Sequence, residues 1–563
     1  MRALCVDAGG MKRAASLPLI FLFVLPLLTT LLFVLSDAFD LAAWRALFQH
    51  PQLVAGLELS LATGTSATLI SIVLALLIAA IYFERGKTSK LSSQLGLMLA
   101  VPHLAFAIGF AFLMMPSGLL ARILAIGTGW LAPPQWTTTH DPHGIALTTA
   151  LVAKETAFLL FVLVGVLMRE DITQSFNTQR LSAFGLGHSP ASAWLRVLVP
   201  QLVPHLIWPM IIVLVYASTV VDMSLVLGPT QPPVFADVIW VDINSADPAN
   251  NARGAAGAVF ISVVAALVLA AVFVFTKAAA PLFKTWATRG PSKLRFPALR
   301  DSRESGDDVP GGWIGAAKWL ALRLFYAAVI STLILLSFAA LWPFPNLLPA
   351  AWSTDAWGNV AAHLAPLMTS LVLAITTSIT ALAIWVAWLE NVSQRFDQFI
   401  LTLCVLVLGL PALLIGLGQY QMFLLLHLTG TWLGLYLAHL LPVMAYMYIL
   451  LSGPYRRYET KWRDASTGLM ATPFQFLFGI KWPMLKAPLL SSAAVGFAVS
   501  FAQFVPAQLV AAGRYSTLPI EAVTLSSGSN RALTAAFALL LMTPPLVVFS
   551  AGSYFGRSRW RTV

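Results

Sequence analysis

Charged residues are scarce in this sequence. Asp, Glu, Lys and Arg make up 10% of its 563 residues, against roughly 25% in a soluble protein. The length would otherwise suggest about three or four soluble domains, and so few charges cannot cover that many water-facing surfaces. An ordinary soluble enzyme is thereby excluded. Cysteine is nearly missing: Cys5 and Cys404 are the two present, too few and too far apart for a disulfide framework or a CxxC zinc knuckle. Acids are the scarcer charge, 23 against 34 Lys and Arg, which leaves a net charge of +11. Such a surplus implies a nucleic-acid partner only when it gathers on one folded face, so the positions of the basic residues have to decide.

What the chain has instead is apolar length, with 58% of its residues hydrophobic. A membrane helix needs about 20 mostly apolar residues to cross a hydrocarbon core about 30 Å thick. Twelve stretches meet that length, near residues 14–36, 57–83, 93–115, 144–168, 203–228 and 254–276, then 319–341, 365–389, 398–426, 432–452, 486–511 and 532–554. Pro102 and Pro411 interrupt two of them, which are expected to kink or turn back. The first run follows Lys12 and Arg13 and is too long and too poorly cleavable for a signal peptide, so it reads as a retained anchor; Met11 is an alternative start to Met1.

The basic residues then orient the chain. With the N-terminus inside, 28 of the 34 fall in cytoplasmic segments, Arg45, Arg122, Arg253, Arg514 and Arg531 fall outside, and Lys154 lies within a span. This is the bias of the positive-inside rule, and it puts both termini in the cytoplasm. The +11 therefore records orientation and points to no nucleic acid.

The polar, Pro- and Gly-bearing stretch at 278–318 divides the chain into two sets of six spans. The expected organisation is a tail, first span and outer loop at 1–56, a first core domain at 57–277, the linker at 278–318, a second first span and outer loop at 319–364, and a second core domain at 365–563. Between the fourth and fifth spans of each set lies a similar loop. Residues 181–200 read LSAFGLGHSPASAWLRVLVP and residues 464–483 read DASTGLMATPFQFLFGIKWP, aligned without a gap at an offset of 283. Leu186 matches Leu469, Pro190 matches Pro473 and Pro200 matches Pro483. Ser189-Pro190 and Thr472-Pro473 suit an N-cap followed by Pro at the first helical position. Trp194 in one copy, and Phe474, Phe476 and Phe478 in the other, are expected to give a short amphipathic helix an apolar side, with Pro200 and Pro483 closing the motif.

These loops resemble the EAA loop of permease subunits in binding-protein-dependent ABC importers: E-A-A, three residues, G, nine residues, I, one residue, L-P. Ala183, Gly187, Val197 and Pro200 fit in the first copy, with Leu181 in place of Glu; Asp464, Ala465, Ile480 and Pro483 fit in the second, with Met470 and Trp482 departing from the pattern. The chain is similar to the fused thiamine, ferric-iron and YnjC-type permeases, in which one polypeptide supplies both halves. The resemblance implies an all-α polytopic fold of two pseudo-symmetric six-helix halves in a bacterial inner membrane, with residues 187–196 and 470–479 as helices that dock on two cytoplasmic ATPase subunits. It also implies a solute-binding protein outside and a small solute as cargo.

No catalytic constellation, cofactor motif or metal site emerges. Gly86-Lys87-Thr88 ends like a phosphate-binding loop, yet Ile81 stands where that loop needs Gly. His140 and His143 share one outer loop without ligand spacing. Charges within spans cost about 2.5–3.5 kcal/mol each to insert, so Glu58, Lys154, Glu155 and Asp222 need partners, a cavity or a membrane edge. Glu58 reads as interfacial and Lys154 and Glu155 as interhelical contacts. Asp222, and Gln503 near the corresponding place, are candidates for the translocation path. The segments after the fifth spans, from Gly228 to Trp240 and from Ala512 to Val523, are candidates for an outer cap. The rival function is an ion-coupled secondary transporter, which needs several intramembrane acids and has no use for the repeated loop; a scaffold or polymer-processing enzyme needs polar groups gathered at one face.

Overall fold

The computed structural model describes residues 17–37, 39–288, 310–458 and 472–556. Among the described residues ten helices are long and apolar enough to cross a membrane, and two bent helix pairs raise the number to as many as twelve if each pair is one span. They are, in order, spans 1 to 6 at Leu17–Leu35, Leu53–Glu84, His103–Thr128, Ile145–Leu167, Pro190–Thr219 and Pro248–Trp286, and spans 7 to 12 at Ala317–Ser337, Ala365–Asn391, the pair Gln394–Gly409 with Ala412–Leu425, Trp432–Arg456, the pair Leu477–Met484 with Lys486–Phe501, and Arg531–Phe555. Backbone polar groups in hydrocarbon must be satisfied within the chain, and helices do this locally. Large side chains such as Leu267, Phe273 and Phe275 of span 6 stay exposed, as suits a lipid-facing surface.

Both expected proline interruptions are breaks. In the first set Thr88–Ala100 stops before Pro102 and His103–Met114 follows it; in the second, Asp397–Gly409 stops before Pro411 and Ala412–Leu425 follows. The second of these pairs turns by 101°. Proline disfavours the helical conformation in the residue before it, and Val101 and Leu410 are both extended.

The fifth stretch of each set departs from expectation. Residues 203–228 are not one helix: Val199–Thr219 ends, Val220 is extended, and Asp222–Leu227 begins anew. Span 11 likewise stops at Phe501, and Val505–Ala511 restarts at the position that matches Asp222–Leu227 in the repeat. Beyond these breaks come Phe235–Ile243 and Leu518–Ser526, which match each other at the same offset. Both apolar segments after the fifth spans are therefore helices, and each is held the same way. The Phe235 amide donates to Ser60 Oγ at 2.9 Å, and the Leu518 amide donates to Ser370 Oγ at 2.8 Å.

The first span of each set packs against the other set. In span 1, Phe23 meets Trp385 of span 8 with ring centroids 5.8 Å apart, and Thr29 donates to Met422 Sδ at 2.8 Å. In span 7, Tyr326 lies 4.7 Å from Phe106 of span 3, and Trp319 Nε1 donates to Gln94 Oε1 at 3.0 Å. Two glycines permit these approaches, Gly109 opposite Val329 and Leu333, and Gly418 opposite Thr30. One apolar core accordingly joins Trp319, Tyr326, Val329 and Leu333 to the first set, and another joins Leu19, Phe23 and Leu27 to the second.

Candidate functional site

At the end of the bundle that carries most of the basic residues, the repeated loop of the first set begins with the helix Glu170–Gly185 and turns at Gly187, whose φ of +84° is left-handed backbone that glycine adopts without strain. Ala183 is buried at this turn, while Leu181 and Leu186 point outward, 55% and 72% exposed. A new helix then starts at Pro190, and the Ser192 amide donates to the Ser189 cap at 3.2 Å. Its second copy starts at Pro473, where the Gln475 amide donates to Thr472 Oγ1 at 3.3 Å and the Thr472 amide donates to Gln475 Oε1 at 2.8 Å, a reciprocal capping box.

Neither helix ends at its second proline. Pro190–Ala193 runs into a π-turn at Trp194–Leu198 and on through Pro200 into span 5; Pro473–Phe476 runs into a π-turn at Leu477–Lys481, the matching place in the second copy. The wide turn is the physical reason: the Val199 amide donates to Trp194 O and the Trp482 amide to Leu477 O, each one residue further back than in an α-helix. Pro200 and Pro483, which have no amide hydrogen to donate, follow directly where the register has already shifted. The copies then differ, because the second bends by 70° near Leu485 whereas the first runs on as one span from Pro190 to Thr219.

The aromatic residue expected to form the apolar side of the first copy faces inward. Trp194 is 2% exposed and lies against Phe83 at the end of span 2, ring centroids 5.9 Å apart. Val197 is half-buried. In the second copy Phe476 is buried against Tyr458, whereas Phe478 is 57% exposed. Ile480 and Pro483 are described there, and Pro473 and Phe474 as backbone only, while Asp464 and Ala465 lie outside the described residues.

Charge ties each loop to the matching span. Arg180 Nη1 lies 2.7 Å from Glu84 Oε2 at the end of span 2, with its guanidinium over Phe83 and Phe184. Lys481 Nζ lies 2.7 Å from Glu390 Oε1 at the end of span 8, with its ammonium 4.4 Å from the Tyr455 ring centre. Tyr455 also donates to Glu390, and Trp482 Nε1 donates to Tyr455 at 3.3 Å. Burial and the nearby Glu390 push the Tyr458 hydroxyl above its ordinary pKa. Sequence reading missed both ion pairs; the signal for them was an acid at the same end of two matched spans, Glu84 and Glu390.

Mid-bundle, Lys154 and Glu155 serve different neighbours, as adjacent helical residues must. Lys154 Nζ donates to Val101 O at 2.5 Å and Met98 O at 3.3 Å, which satisfies carbonyls left open at the Pro102 break. Glu155 Oε1 lies 3.1 Å from His103 Nε2. Asp222 is half-buried at the span 5 break. Gln503 sits at the span 11 break and donates to His439 O at 3.1 Å. At the repeat offset the counterpart of Asp222 is Val505, just past Gln503, so the two polar residues mark equivalent breaks without being positional partners.

At the opposite end, Arg122 is 3% exposed and donates to the carbonyls of Ser117, Trp342, Pro343 and Asn346 at 2.6–3.0 Å. It thereby holds the short hairpin Ala339–Leu341 with Ala351–Trp352. Trp240 meets Phe504 across the two sets with ring centroids 5.3 Å apart and planes tilted by 41°. Glu58 is exposed there, and His140 Nδ1 lies 2.8 Å from Gly228 O. Among the described residues no group of three or more His, Cys, Asp or Glu could hold a metal ion.

Two polytopic sets with paired helix breaks and a duplicated basic-end loop define a membrane transport subunit. The model of the family described as binding-protein-dependent transport system inner membrane component matches residues 379–561. The chain is 30% identical over 525 residues, 93% of its length and 92% of the relative's, to the inner membrane ABC transporter permease protein YnjC of Escherichia coli strain K12. It is 24% identical over 260 residues, 43% of this chain and 47% of the relative, to the thiamine transport system permease protein ThiP of Haemophilus influenzae. It is 26% identical over 224 residues, 37% of this chain and 79% of the relative, to the putrescine transport system permease protein PotI of E. coli strain K12. The chain belongs to the permeases of binding-protein-dependent ABC importers, multi-pass proteins of the inner membrane, and the secondary-transporter alternative is set aside.

Proposed function

We propose that this chain forms the whole solute path of its importer and takes its power from separate cytoplasmic ATPase subunits, one at each repeated loop. The basic end of the bundle faces the cytoplasm, as do both termini, in keeping with the positive-inside bias. Residues 187–196 and 470–479 dock on the ATPases, with the exposed Leu186, just ahead of the first segment, and Phe478, within the second, among the contacts. A solute-binding protein delivers cargo at the opposite face, over Phe235–Ile243 and Leu518–Ser526. Rocking of the two sets against each other alternates access.

The observation that supports this reading best is the duplication itself. Each loop has a hydroxyl cap, an α-turn and a π-turn at the same offset, with a basic residue tied to the acid at the end of the matching span. An interfacial helical hairpin needs no such tether, whereas a lever does. The test is co-purification with the ATPase encoded nearby. Leu186→Asp together with Phe478→Asp should release the ATPase while the permease remains folded in detergent. Retention of the ATPase with full activity after removal of 187–196 and 470–479 would sink the proposal. Thiamine and putrescine, for which two relatives are named, are the first solutes to try in transport assays.

A further inference from the structure

Two guanidiniums share one cavity at the end of the bundle opposite the repeated loops. The cavity holds about 300 Å³ and lies between the ends of spans 3 and 7 and the start of span 12, so its walls come from both sets. Arg122 and Arg531 both line it, and both reach Ser117. Arg122 Nε donates to the Ser117 carbonyl at 3.0 Å, and Arg531 Nη1 donates to the Ser117 hydroxyl at 3.1 Å.

Their charge is not offset. No Asp or Glu lines the cavity, and among the described residues neither arginine forms an ion pair. The four carbonyls around Arg122 satisfy its N–H groups, but they are neutral, so a full positive charge stays on a buried side chain. Arg531 is exposed and has one guanidinium hydrogen bond, to Ser117, which leaves most of its five donors to a ligand. Like charges that meet at one residue repel, and an anion between them replaces that repulsion with two attractions.

The surroundings say which anion. Phe112 and Thr332 in the cavity wall are buried sides of spans 3 and 7, so the cavity reaches down to the apolar level of the bundle. Beside the lining residues, Ile123, Ile334 and Leu341 are exposed, as on a surface that meets lipid, and the Trp342 ring lies 4.5 Å from the Arg122 guanidinium, in keeping with the aromatic belt of a membrane interface. A cationic well with an apolar wall next to the bilayer suits a lipid phosphate and its glycerol. Two uncompensated cations favour a headgroup of net negative charge over a zwitterionic one, which brings a cation of its own.

We infer that Arg122 and Arg531 hold the phosphate of an anionic phospholipid, of the phosphatidylglycerol type, at the seam between the two sets. The site does not depend on the ATPase reading, because it belongs to the chain in any bilayer.

The test is native mass spectrometry of the delipidated full chain in detergent, titrated with phosphatidylglycerol or with phosphatidylcholine of the same acyl chains. Phosphatidylglycerol should bind at least about fivefold more tightly, the effect of one arginine near an anionic lipid. Arg531→Gln should weaken its binding by about the same factor, and Arg531→Lys should restore most of it. Ala340→Trp, which fills the cavity and leaves both arginines in place, should also lower phosphatidylglycerol binding and not phosphatidylcholine binding. A headgroup-photoreactive phosphatidylglycerol should label peptides that contain residues 112–122, 332–342 or 529–532. Equal binding of the two lipids, labelling confined to other segments, or an unchanged preference in Arg531→Gln and Ala340→Trp would each overturn the inference. So would a thermal shift with inorganic phosphate as large as that with phosphatidylglycerol, which would make the ligand a free anion. Loss of affinity for the solute-binding protein in Arg531→Gln with lipid binding unchanged would assign the arginines to an acidic side chain of that protein instead.

Discussion

Gly418 of span 9 runs so close to Thr30 of span 1 that a Cβ on the glycine would stand 2.3 Å from the Thr30 carbonyl oxygen. Its counterpart Gly109 would place a Cβ 2.7 Å from Val329 Cγ1 and 3.0 Å from Leu333. These contacts are how each set carries the first span of the other, and small residues at such crossings are what membrane helix packing favours. Gly418→Ala meets backbone that cannot rotate away, whereas Gly109→Ala meets side chains that can. Thermal unfolding in detergent should show a loss of about 1–3 kcal/mol for Gly418→Ala and a smaller loss for Gly109→Ala.

The tethers of the two loops are separable from docking. Glu84→Gln loosens Arg180, and Glu390→Gln loosens both Lys481 and Tyr455. Hydrogen bonds to a charged group contribute roughly 1.5–3 kcal/mol, so Glu390→Gln should do more damage. The expected outcome is an ATPase that still co-purifies but is stimulated less by loaded binding protein, read from hydrolysis rates in proteoliposomes. Unchanged stimulation in both variants would show that the ion pairs are not part of the lever.

Lys154 is read as a structural cation that closes the carbonyls of Met98 and Val101. Lys154→Met should lower the melting temperature, by about 1–3 kcal/mol in stability for the buried acceptors left without a donor, and should leave transport by the surviving folded protein intact. A variant of native stability with abolished transport would instead assign Lys154 to the path.

Arg122 binds four carbonyls, three of them in the stretch from Trp342 to Asn346. Arg122→Ala should raise hydrogen exchange across residues 339–352, with span 10 unaffected as an internal control. Lys in its place should rescue only in part, because an ammonium lacks the planar fork that reaches carbonyls on several sides. Exchange unchanged in the alanine variant would show that the hairpin holds by its own strand pairing.

Much of this architecture was legible in the order of the residues. The number of spans followed from apolar length, the breaks at Pro102 and Pro411 followed from proline chemistry, and the duplicated loop followed from an offset of 283 that runs from the caps at Ser189 and Thr472 through the π-turns to Phe235–Ile243 and Leu518–Ser526. Other features left no local trace. Nothing in residues 203–228 announced the break at Val220, and nothing around Trp194 distinguished an inward from an outward face. Pro200 looked like an end because the π-turn that accommodates it is a matter of hydrogen-bond register, which composition does not encode.

By itself, then, the sequence determined that this chain is a polytopic membrane protein of about ten to twelve spans with a repeated loop, because partition into a bilayer depends on apolar length and charge placement. Tertiary structure decided which helices touch. Lipid tails are as apolar as leucine, so the hydrophobic effect does not choose partners among membrane helices, and the choice falls to shape and to single polar contacts. Gly418 admits Thr30, Lys154 finds the Val101 carbonyl, and His103 of span 3 meets both Glu155 of span 4 and Tyr216 of span 5. Those meetings are long-range in the chain, and neither apolar length nor local pattern announces them.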